Sequence, residues 1–459
     1  LIAPARALAF ETIRATFERE AHTERFFREA ADARELSGRE RAQAQHLAFG
    51  AVQRRGTTDA AIERLAERSL RLLDPPVVAA LRLGLYELLF ADGTPDHAAV
   101  DQAVELVKSA GAAHAAGLVN AVLRRAGRER EKLTEALLGD DSTPESAAIA
   151  HSAPLWLARM WWEELGPDPA RTLLASCNRP AELGLCVNTL RTDREATLAA
   201  LREAGLDARP AEGPWPLAPR EAIVTAGRTG ATVPERVAAG ELTPQSRGSA
   251  AVVEVLDPQP GEHVLDLCAG PGIKTAQIAA RMGDRGEVIS VEQDPGRAGE
   301  VAEQARRLGL RSVTVIEADA TAGAMASGFD RVLVDPPCSD LGALASRPDA
   351  RWRKSPRTIE RLVELQEQIL RRGLEALRPG GTLVYSTCTI SRREGEEQIA
   401  ALLSRASTGE ALLVSVDDLG ALAPDLASSH DRRCLQLRPD RDTTTGFFVC
   451  RLSKDDEAR

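Results

Sequence analysis

Two short stretches carry residue types that could do chemistry together. They are Val-Asp-Pro-Pro-Cys-Ser at Val334–Ser339 and Tyr-Ser-Thr-Cys-Thr at Tyr385–Thr389. Each follows a short apolar run, Arg-Val-Leu in one case and Thr-Leu-Val in the other, so each reads as the end of a buried strand carrying a cysteine into a loop. Core packing is the commoner fate of a lone cysteine. Two thiols, Cys338 and Cys388, delivered with the Asp335 carboxylate to one sheet edge instead suggest a catalytic constellation, in which a thiolate can serve as a covalent nucleophile.

A third motif supplies a ligand for that edge. Val-Leu-Asp-Leu-Cys-Ala-Gly-Pro-Gly-Ile-Lys-Thr, Val264–Thr275, reads as a strand, a tight glycine turn and a helix start. Glycines there let the backbone approach a nucleotide. The spacing matches neither the dinucleotide fingerprint nor a P-loop. Glu292 ends the next strand, where an acidic side chain accepts from ribose hydroxyls. Asp319 follows the third strand and can hold an adenine amino group. Such sites at three successive strand ends fit an adenosine ligand without a pyrophosphate, which describes S-adenosyl-L-methionine. Use of the same topology for a flavin or NAD is the competing reading. The expected cofactor-binding set is Cys268, Ala269, Gly270, Pro271, Gly272, Lys274, Glu292, Asp319 and Asp335, with Cys268 also serving a structural role.

These residues need a sheet to position them. From about Leu242 the chain alternates strands (263–267, 287–292, 312–316, 331–335, 382–386) with helices (273–281, 296–308, 357–377). Apolar runs follow at Leu412–Val416, Leu435–Leu437 and Gly446–Leu452. This predicts an α/β doubly wound, mostly parallel, Rossmann-like domain over 242–459. Residues 1–130 read as all-helical, with apolar positions such as Ala7, Phe10, Ile13 and Phe17 at helical spacing and Asp74-Pro75-Pro76 as a helix start. The charged and polar stretch 131–150 reads as a linker. Residues 151–241 read as a small α+β module, with a Trp156, Trp161 and Trp162 helix whose tryptophans are expected in a core, a strand at 183–190 and a helix at 193–204. Arg54, Arg55, Arg124, Arg125 and Arg128 sit at helix ends. Dipole compensation and phosphate contact both account for them.

The chain has 459 residues, of which 43% are hydrophobic and 27% charged, so two or three globular domains are expected. A net charge of −10 excludes a uniformly basic nucleic-acid coat but leaves room for a local basic patch. Seven cysteines without Cys-x-x-Cys spacing fit neither a zinc ribbon nor a disulfide framework. No metal is therefore expected, and Cys177, Cys186, Cys434 and Cys450 read as structural. The start lacks the form of a secretory signal and no apolar run could span a bilayer, so a cytoplasmic, monomeric protein without a membrane partner is expected.

Several strings resemble a known family. Ala48–Thr57, Leu73–Val77, Leu81–Leu89 and Val119–Arg125 are similar to the NusB-type RNA-binding domain in the version fused to ribosomal RNA cytosine methyltransferases. The glycine loop, Asp-Pro-Pro-Cys-Ser, Ser-Thr-Cys-Thr, Arg347-Pro348-Asp349 and Trp352 resemble the RsmB (Sun) type of ribosomal RNA cytosine-5 methyltransferase. Asn178-Arg179-Pro180 and Val187-Asn188-Thr189 match its RNA-holding module. The chain departs from that pattern at Cys186 (for arginine), Gln245-Ser246-Arg247 (for Gln-Asp-Glu), Gly270 (for alanine), Ile273 (for glycine) and Gly395 (for asparagine).

The resemblance implies methyl transfer from S-adenosyl-L-methionine to carbon 5 of a cytosine in small-subunit ribosomal RNA. It makes Cys388 the nucleophile toward carbon 6, Cys338 the release cysteine and Asp335 the carboxyl at ring nitrogen 3. Residue types alone leave the order of the two cysteines open. The same chemistry on transfer RNA, or a non-catalytic RNA-binding or assembly role, are the alternative functions.

Overall fold

The computed structural model describes residues 2–226, 230–323, 326–407 and 414–455. The chain divides into two compact units, Leu1–Arg179 with Leu344–Ser355, and Pro180–Ala343 with Pro356–Arg459.

The first unit is helical. Its core is built from Leu8, Phe10, Ile13, Leu47, Val52, Ile62, Leu81, Leu85, Leu106 and Leu123, all buried. The helix Pro75–Leu89 is apolar on nearly every face and is buried from Val77 to Leu88. Pro75 starts it at a position where the missing amide costs nothing. Asp74 precedes it in extended conformation but makes no side-chain cap bond. Ser37 makes the cap that sequence reading did not single out: its side chain accepts from Glu40 N while Glu40 reaches back to the Ser37 amide.

The stretch expected to be a linker is largely helical, at Arg130–Leu138 and Pro144–Ala150. Leu133 and Leu137 are buried, and Thr143 with Ser146 forms a capping box at the start of the second helix. The helices Leu155–Leu165 and Pro167–Ser176 also pack in this unit, which runs to Arg179. Trp161 is fully buried, as expected of a core residue, while Trp156 and Trp162 are partly buried.

Residues 344–355, which include the Arg347-Pro348-Asp349 and Trp352 motif, fold with the helical unit. Arg351 is completely buried there. Its guanidinium donates to the carbonyls of Ser152 (2.9 Å), Cys177 (2.9 Å) and Leu344 (3.1 Å) and to Asn178 Oδ1 (3.2 Å). Trp352 Nε1 donates to Val52 O at 2.8 Å. Of the helix-end arginines, Arg54 lies over Phe90 and Arg55 over both Phe17 and Trp352, and burial lowers the pKa of both. Arg125 pairs with Glu67 and Glu129, whereas Arg124 and Arg128 are exposed.

The second unit holds two sheets. A four-stranded antiparallel sheet runs in the order 207–210, 222–226, 183–187, 242–244. The helix Arg194–Glu203 buries Thr197, Leu198 and Leu201, with Leu198 and Leu201 in a core with Leu185, Val187 and Ile223. The first strand ends at Val187 and not at 190, and the strands 207–210 and 242–244 are additions to the expected pattern.

The larger sheet runs 414–416, 447–454, 377–387, 329–334, 263–266, 287–292, 313–317, with 435–437 paired to 447–454. The five strands from 377–387 to 313–317 are mutually parallel, and 447–454 joins antiparallel. The expected doubly wound sheet is thus present, and the helix Ile273–Arg281 and strand Glu287–Glu292 have their expected bounds. The expected strand from 412 is a strand over Val414–Val416, with 412 and 413 outside the described residues. The helices Arg247–Leu256 and Glu396–Ser407 were not anticipated. No helix among the described residues is long and apolar enough to cross a membrane.

Candidate active site

Parallel strands share one C-terminal edge. The spatial order of this sheet reverses at 263–266, between 287–292 and 329–334, which opens a crevice beyond the strand ends. The loops carrying the sequence-predicted residues all leave that edge.

The glycine loop begins with Asp266, which is almost fully buried and whose Oδ2 accepts from Thr275 Oγ1 at 2.7 Å. Burial raises its carboxyl to about 6, and its other oxygen has no hydrogen-bond partner. Gly270 and Gly272 have φ of +55° and +84°, the left-handed region that favours glycine. A side chain at Gly272 would also meet Val301 at 3.1 Å, whereas the space beside Gly270 is open. Ala269 N donates to Val291 O, tying the loop to the neighbouring strand, and Pro271 is exposed. Cys268 is half-buried, and desolvation followed by the Asp266 and Asp335 carboxylates raises its thiol pKa.

Glu292 accepts from Gly270 N and from Asp294 N, each at 2.9 Å, and thereby fixes the loop. Asp319 Oδ1 accepts from the Thr321 hydroxyl and amide, which lowers its pKa and keeps it ionised. An unpartnered buried oxygen on Asp266, open space over Gly270 and two anchored carboxylates fit an adenosyl amino acid with a cationic ammonium and ribose and adenine donors.

Ile273, the bulky departure in this loop, lines a small cleft with Cys186, Asn188, Thr243 and Gln245. It faces the four-stranded module, alongside another of the departures, Cys186. At Gly395 a side chain would meet the Phe448 ring at 2.9 Å, so any larger residue needs that ring to shift.

The reacting groups gather on the adjoining strands. Lys274 Nζ donates to Asp335 Oδ2 at 2.5 Å and lies 5.0 Å from the Phe447 ring centroid. Desolvation opposes the lysine charge, but the Asp335 carboxylate outweighs it and the pKa is raised. Ser386 Oγ donates to Asp335 Oδ1 at 3.0 Å. Cys338 Sγ and Cys388 Sγ are 3.1 Å apart, with Cys338 buried and Cys388 partly exposed. Cys388 also donates to Asp340 Oδ1 at 3.4 Å. The hydrogen bond to Cys338, burial, and the nearby Asp340 and Asp335 charges hold the Cys388 thiol well above its ordinary pKa.

The structure therefore brings Cys338, Cys388, Asp335 and Lys274 together and places the glycine loop, Glu292 and Asp319 along the same edge. Cys177, Cys186, Cys434 and Cys450 are buried and form no disulfide.

Sequence reasoning missed Asp340, and it met Glu394 only within Glu394-Gly395-Glu396, the counterpart of the family's Glu-Asn-Glu, without a role. Asp340 is two residues beyond Cys338 and takes a left-handed φ of +59°, unusual for a residue other than glycine. Its place beside a motif cysteine was the available signal. The ligand atoms of Cys338, Asp340 and Cys388 lie within 4.8 Å of one another, a donor set able to hold a soft cation.

Comparisons with known proteins agree with this architecture. Residues 253–453 match the family described as 16S rRNA methyltransferase RsmB/F, 3–128 match the NusB family, and 153–216 match the ferredoxin-like domain of RsmF/B-like methyltransferases. A probable ribosomal RNA small subunit methyltransferase B from Synechocystis is 35% identical over 87% of this chain and 89% of its own. A similarly named Bacillus subtilis protein is 31% identical over 98% of both chains. The crystal structure of PH0851 shares the fold with a TM-score of 0.81 and 24% identity, over 99% of this chain and 100% of that one. NSun6 from Pyrococcus horikoshii with SFG shares it over 66% of this chain and 99% of its own, with a TM-score of 0.57 and 20% identity. With a NusB domain before an S-adenosylmethionine-dependent methyltransferase domain, this chain belongs to the RsmB/F family of ribosomal RNA methyltransferases.

Proposed function

We propose that the chain methylates carbon 5 of a cytosine in small-subunit ribosomal RNA, with Cys388 as nucleophile and Cys338 as the release cysteine. The observation that carries this reading is the 3.1 Å Cys338–Cys388 thiol pair, on the same sheet edge as the Lys274–Asp335 pair. The names of the Synechocystis and Bacillus subtilis relatives support the choice of RNA.

Carbon 5 of cytosine is a poor nucleophile. Addition of the Cys388 sulfur at carbon 6 turns the ring into an enamine that carries electron density to carbon 5. The Cys388 thiol is neutral before attack, and Asp340 Oδ1 is an acceptor already in its hydrogen bond. Asp335 takes the role at ring nitrogen 3, and because it is bonded to the Lys274 ammonium the proton needed there is one hydrogen bond away. S-adenosylmethionine supplies the electrophilic methyl group. Cys338 then assists loss of the carbon 5 proton, after which the Cys388–carbon 6 bond breaks and the ring recovers its aromaticity. Cys388, the more exposed thiol, suits the partner that meets the base. Carbon 6 is reached only in an unstacked nucleotide, so a loop or an opened helix is the expected target.

The test pairs two variants on denaturing gels. Cys388→Ala should abolish methylation without trapping RNA, and Cys338→Ala should accumulate a covalent RNA adduct. The opposite pattern would reverse the two roles. Bisulfite sequencing of ribosomal and transfer RNA from a strain lacking the protein reads the substrate. A lost 5-methylcytosine in transfer RNA alone would overturn the choice of RNA.

A further inference from the structure

Glu394 is completely buried, and its carboxylate is shared by both cysteine loops. Oε1 accepts from the backbone amide of Ser339, the residue after Cys338, at 2.9 Å. The same oxygen accepts from Gln366 Nε2 at 3.0 Å, and that nitrogen also donates to Pro337 O at 2.9 Å. Oε2 accepts from Ser339 Oγ and, at 3.4 Å, from Thr389 Oγ1, on the residue after Cys388. The two hydroxyls lie 2.7 Å apart. The Glu394 carbonyl accepts from Tyr385 Oη at 2.8 Å and from Thr387 Oγ1 at 3.4 Å, both on the strand that carries Cys388.

A buried carboxylate is retained only where hydrogen bonds replace its lost hydration. Here each of those bonds leads to a residue beside one cysteine or the other. We propose that Glu394 is a positioning residue for the thiol pair, setting the distance between Cys338 and Cys388 by clamping the loop behind each. Its carboxylate bonds run to Ser339 and Thr389, and it acts on the thiols through them. In a covalent reaction whose attack and release use different sulfurs, this spacing decides whether the second step keeps pace with the first. That consequence rests on the roles proposed above, whereas the spacing itself does not.

The spacing can be read without RNA. In the full-length protein, with the other cysteines left in place, the diazene oxidant diamide joins the two thiols. Each sulfur gives up a proton and an electron, the S–S bond forms, and the diazene becomes a hydrazine. Sulfurs 3.1 Å apart need to close by only about 1 Å to reach bonding distance. The Cys338–Cys388 bond is quantified by peptide mapping.

Glu394→Ala should slow its formation by about tenfold or more, since a shift near 1 Å in reacting atoms is worth up to about 100-fold. Glu394→Gln should stay within about threefold of the parent, because an amide can present its oxygen to Ser339 N and Gln366 and its nitrogen to Ser339 Oγ. If Glu394→Ala does not fold, Ser339→Ala with Thr389→Val removes the hydroxyl half of the clamp and should slow the bond about fivefold or more. A folded Glu394→Ala or double variant that oxidises at the parental rate overturns the proposal, as does Glu394→Gln behaving like alanine.

In the methylation assay, Glu394→Ala should raise the ratio of covalent adduct to product. A loss of folded protein alone would lower both together. If diamide reads a changed spacing while no adduct forms in any variant, the clamp stands and the covalent mechanism falls.

Discussion

Arg351 in the helical unit and Glu394 in the catalytic unit are both fully buried charged residues, and their surroundings differ in what they join. Arg351 gives its hydrogen bonds to peptide carbonyls and one amide oxygen, on residues 152, 177, 178 and 344. Burial lowers its guanidinium to about 10, so it is still charged at neutral pH. Those groups lie in chain turns of the helical unit, where the one thiol, Cys177, is buried and donates to Leu173 O, and the arginine serves to hold segment 344–355 in its unit. Glu394 gathers hydroxyl and amide donors that sit one residue from each active-site thiol. The same physical device, a buried ionisable side chain held by hydrogen bonds, ties a segment into its domain in one case and, in the role proposed for Glu394, sets the thiol spacing in the other. What separates the two uses is the identity of the residues next to the donors and acceptors.

The largest effect expected from breaking this comparison is on the structural side. Arg351→Met removes a donor from four acceptors, of which Cys177 O keeps Gln53 Nε2, and should destabilise the helical unit by on the order of 3 kcal/mol. Four of the five tryptophans, at 156, 161, 162 and 352, lie in that unit, so a urea transition followed by tryptophan fluorescence reports it. The Cys338–Cys388 oxidation rate should stay at its parental value below that transition. A slowed rate in folded Arg351→Met would erase the distinction between the two networks.

Asp266 sharpens the comparison because only one of its oxygens is satisfied. Its carboxyl rises from an ordinary 3.8 to about 6, so the folded state holds the proton more tightly than the unfolded state does. Its contribution therefore turns unfavourable as pH rises from about 4 to about 6, and the full penalty persists at pH 7. At about 1.36 kcal/mol per unit this is roughly 3 kcal/mol as an upper bound. Asp266→Asn should make the ligand-free protein less sensitive to pH, with the stability difference from the parent growing between pH 4 and 7. Parallel curves would mean that solvent or Lys274 already compensates the second oxygen.

A smaller perturbation probes the scaffold behind Glu394. Gly395→Ala drives a methyl group toward Phe448, which is buried and packs edge-on against Tyr385 with ring centroids 6.3 Å apart. Overpacking of this kind costs about 1–3 kcal/mol. Tyr385 in turn bonds the Glu394 carbonyl, so diamide oxidation should slow by a few-fold, less than for Glu394→Ala. A melting temperature equal to that of the parent would show that the Phe448 ring has room to move.

Local patterns carried the parallel sheet and much of the helical domain. The helix 273–281 and the strand 287–292 announce themselves by apolar spacing between turn residues, and the strand ends place the two cysteines and Asp335 on one edge. Where propensity is weak the reading failed. The charged stretch 131–150 reads as a linker because its helices show few apolar residues, yet Leu133 and Leu137 are enough to dock the first of them. Short strands such as 207–210 and 242–244 gain their identity from pairing partners far along the chain. Glu394 stood out only as the start of Glu394-Gly395-Glu396, which resembles the family's Glu-Asn-Glu, and a glutamate in a run of charged residues otherwise reads as solvated surface until the fold shows it at zero exposure.

The sequence alone determined that two thiols, a carboxylate and an adenosine-binding loop occupy successive strand ends, because strand periodicity and turn chemistry are local properties of the chain. Only the tertiary structure decided that the thiols stand 3.1 Å apart, that Asp340 receives the Cys388 hydrogen bond, and that Glu394 ties the two cysteine loops. Distances between residues 50 positions apart depend on sheet register and on buried hydrogen bonds, and neither is written in any short stretch of sequence.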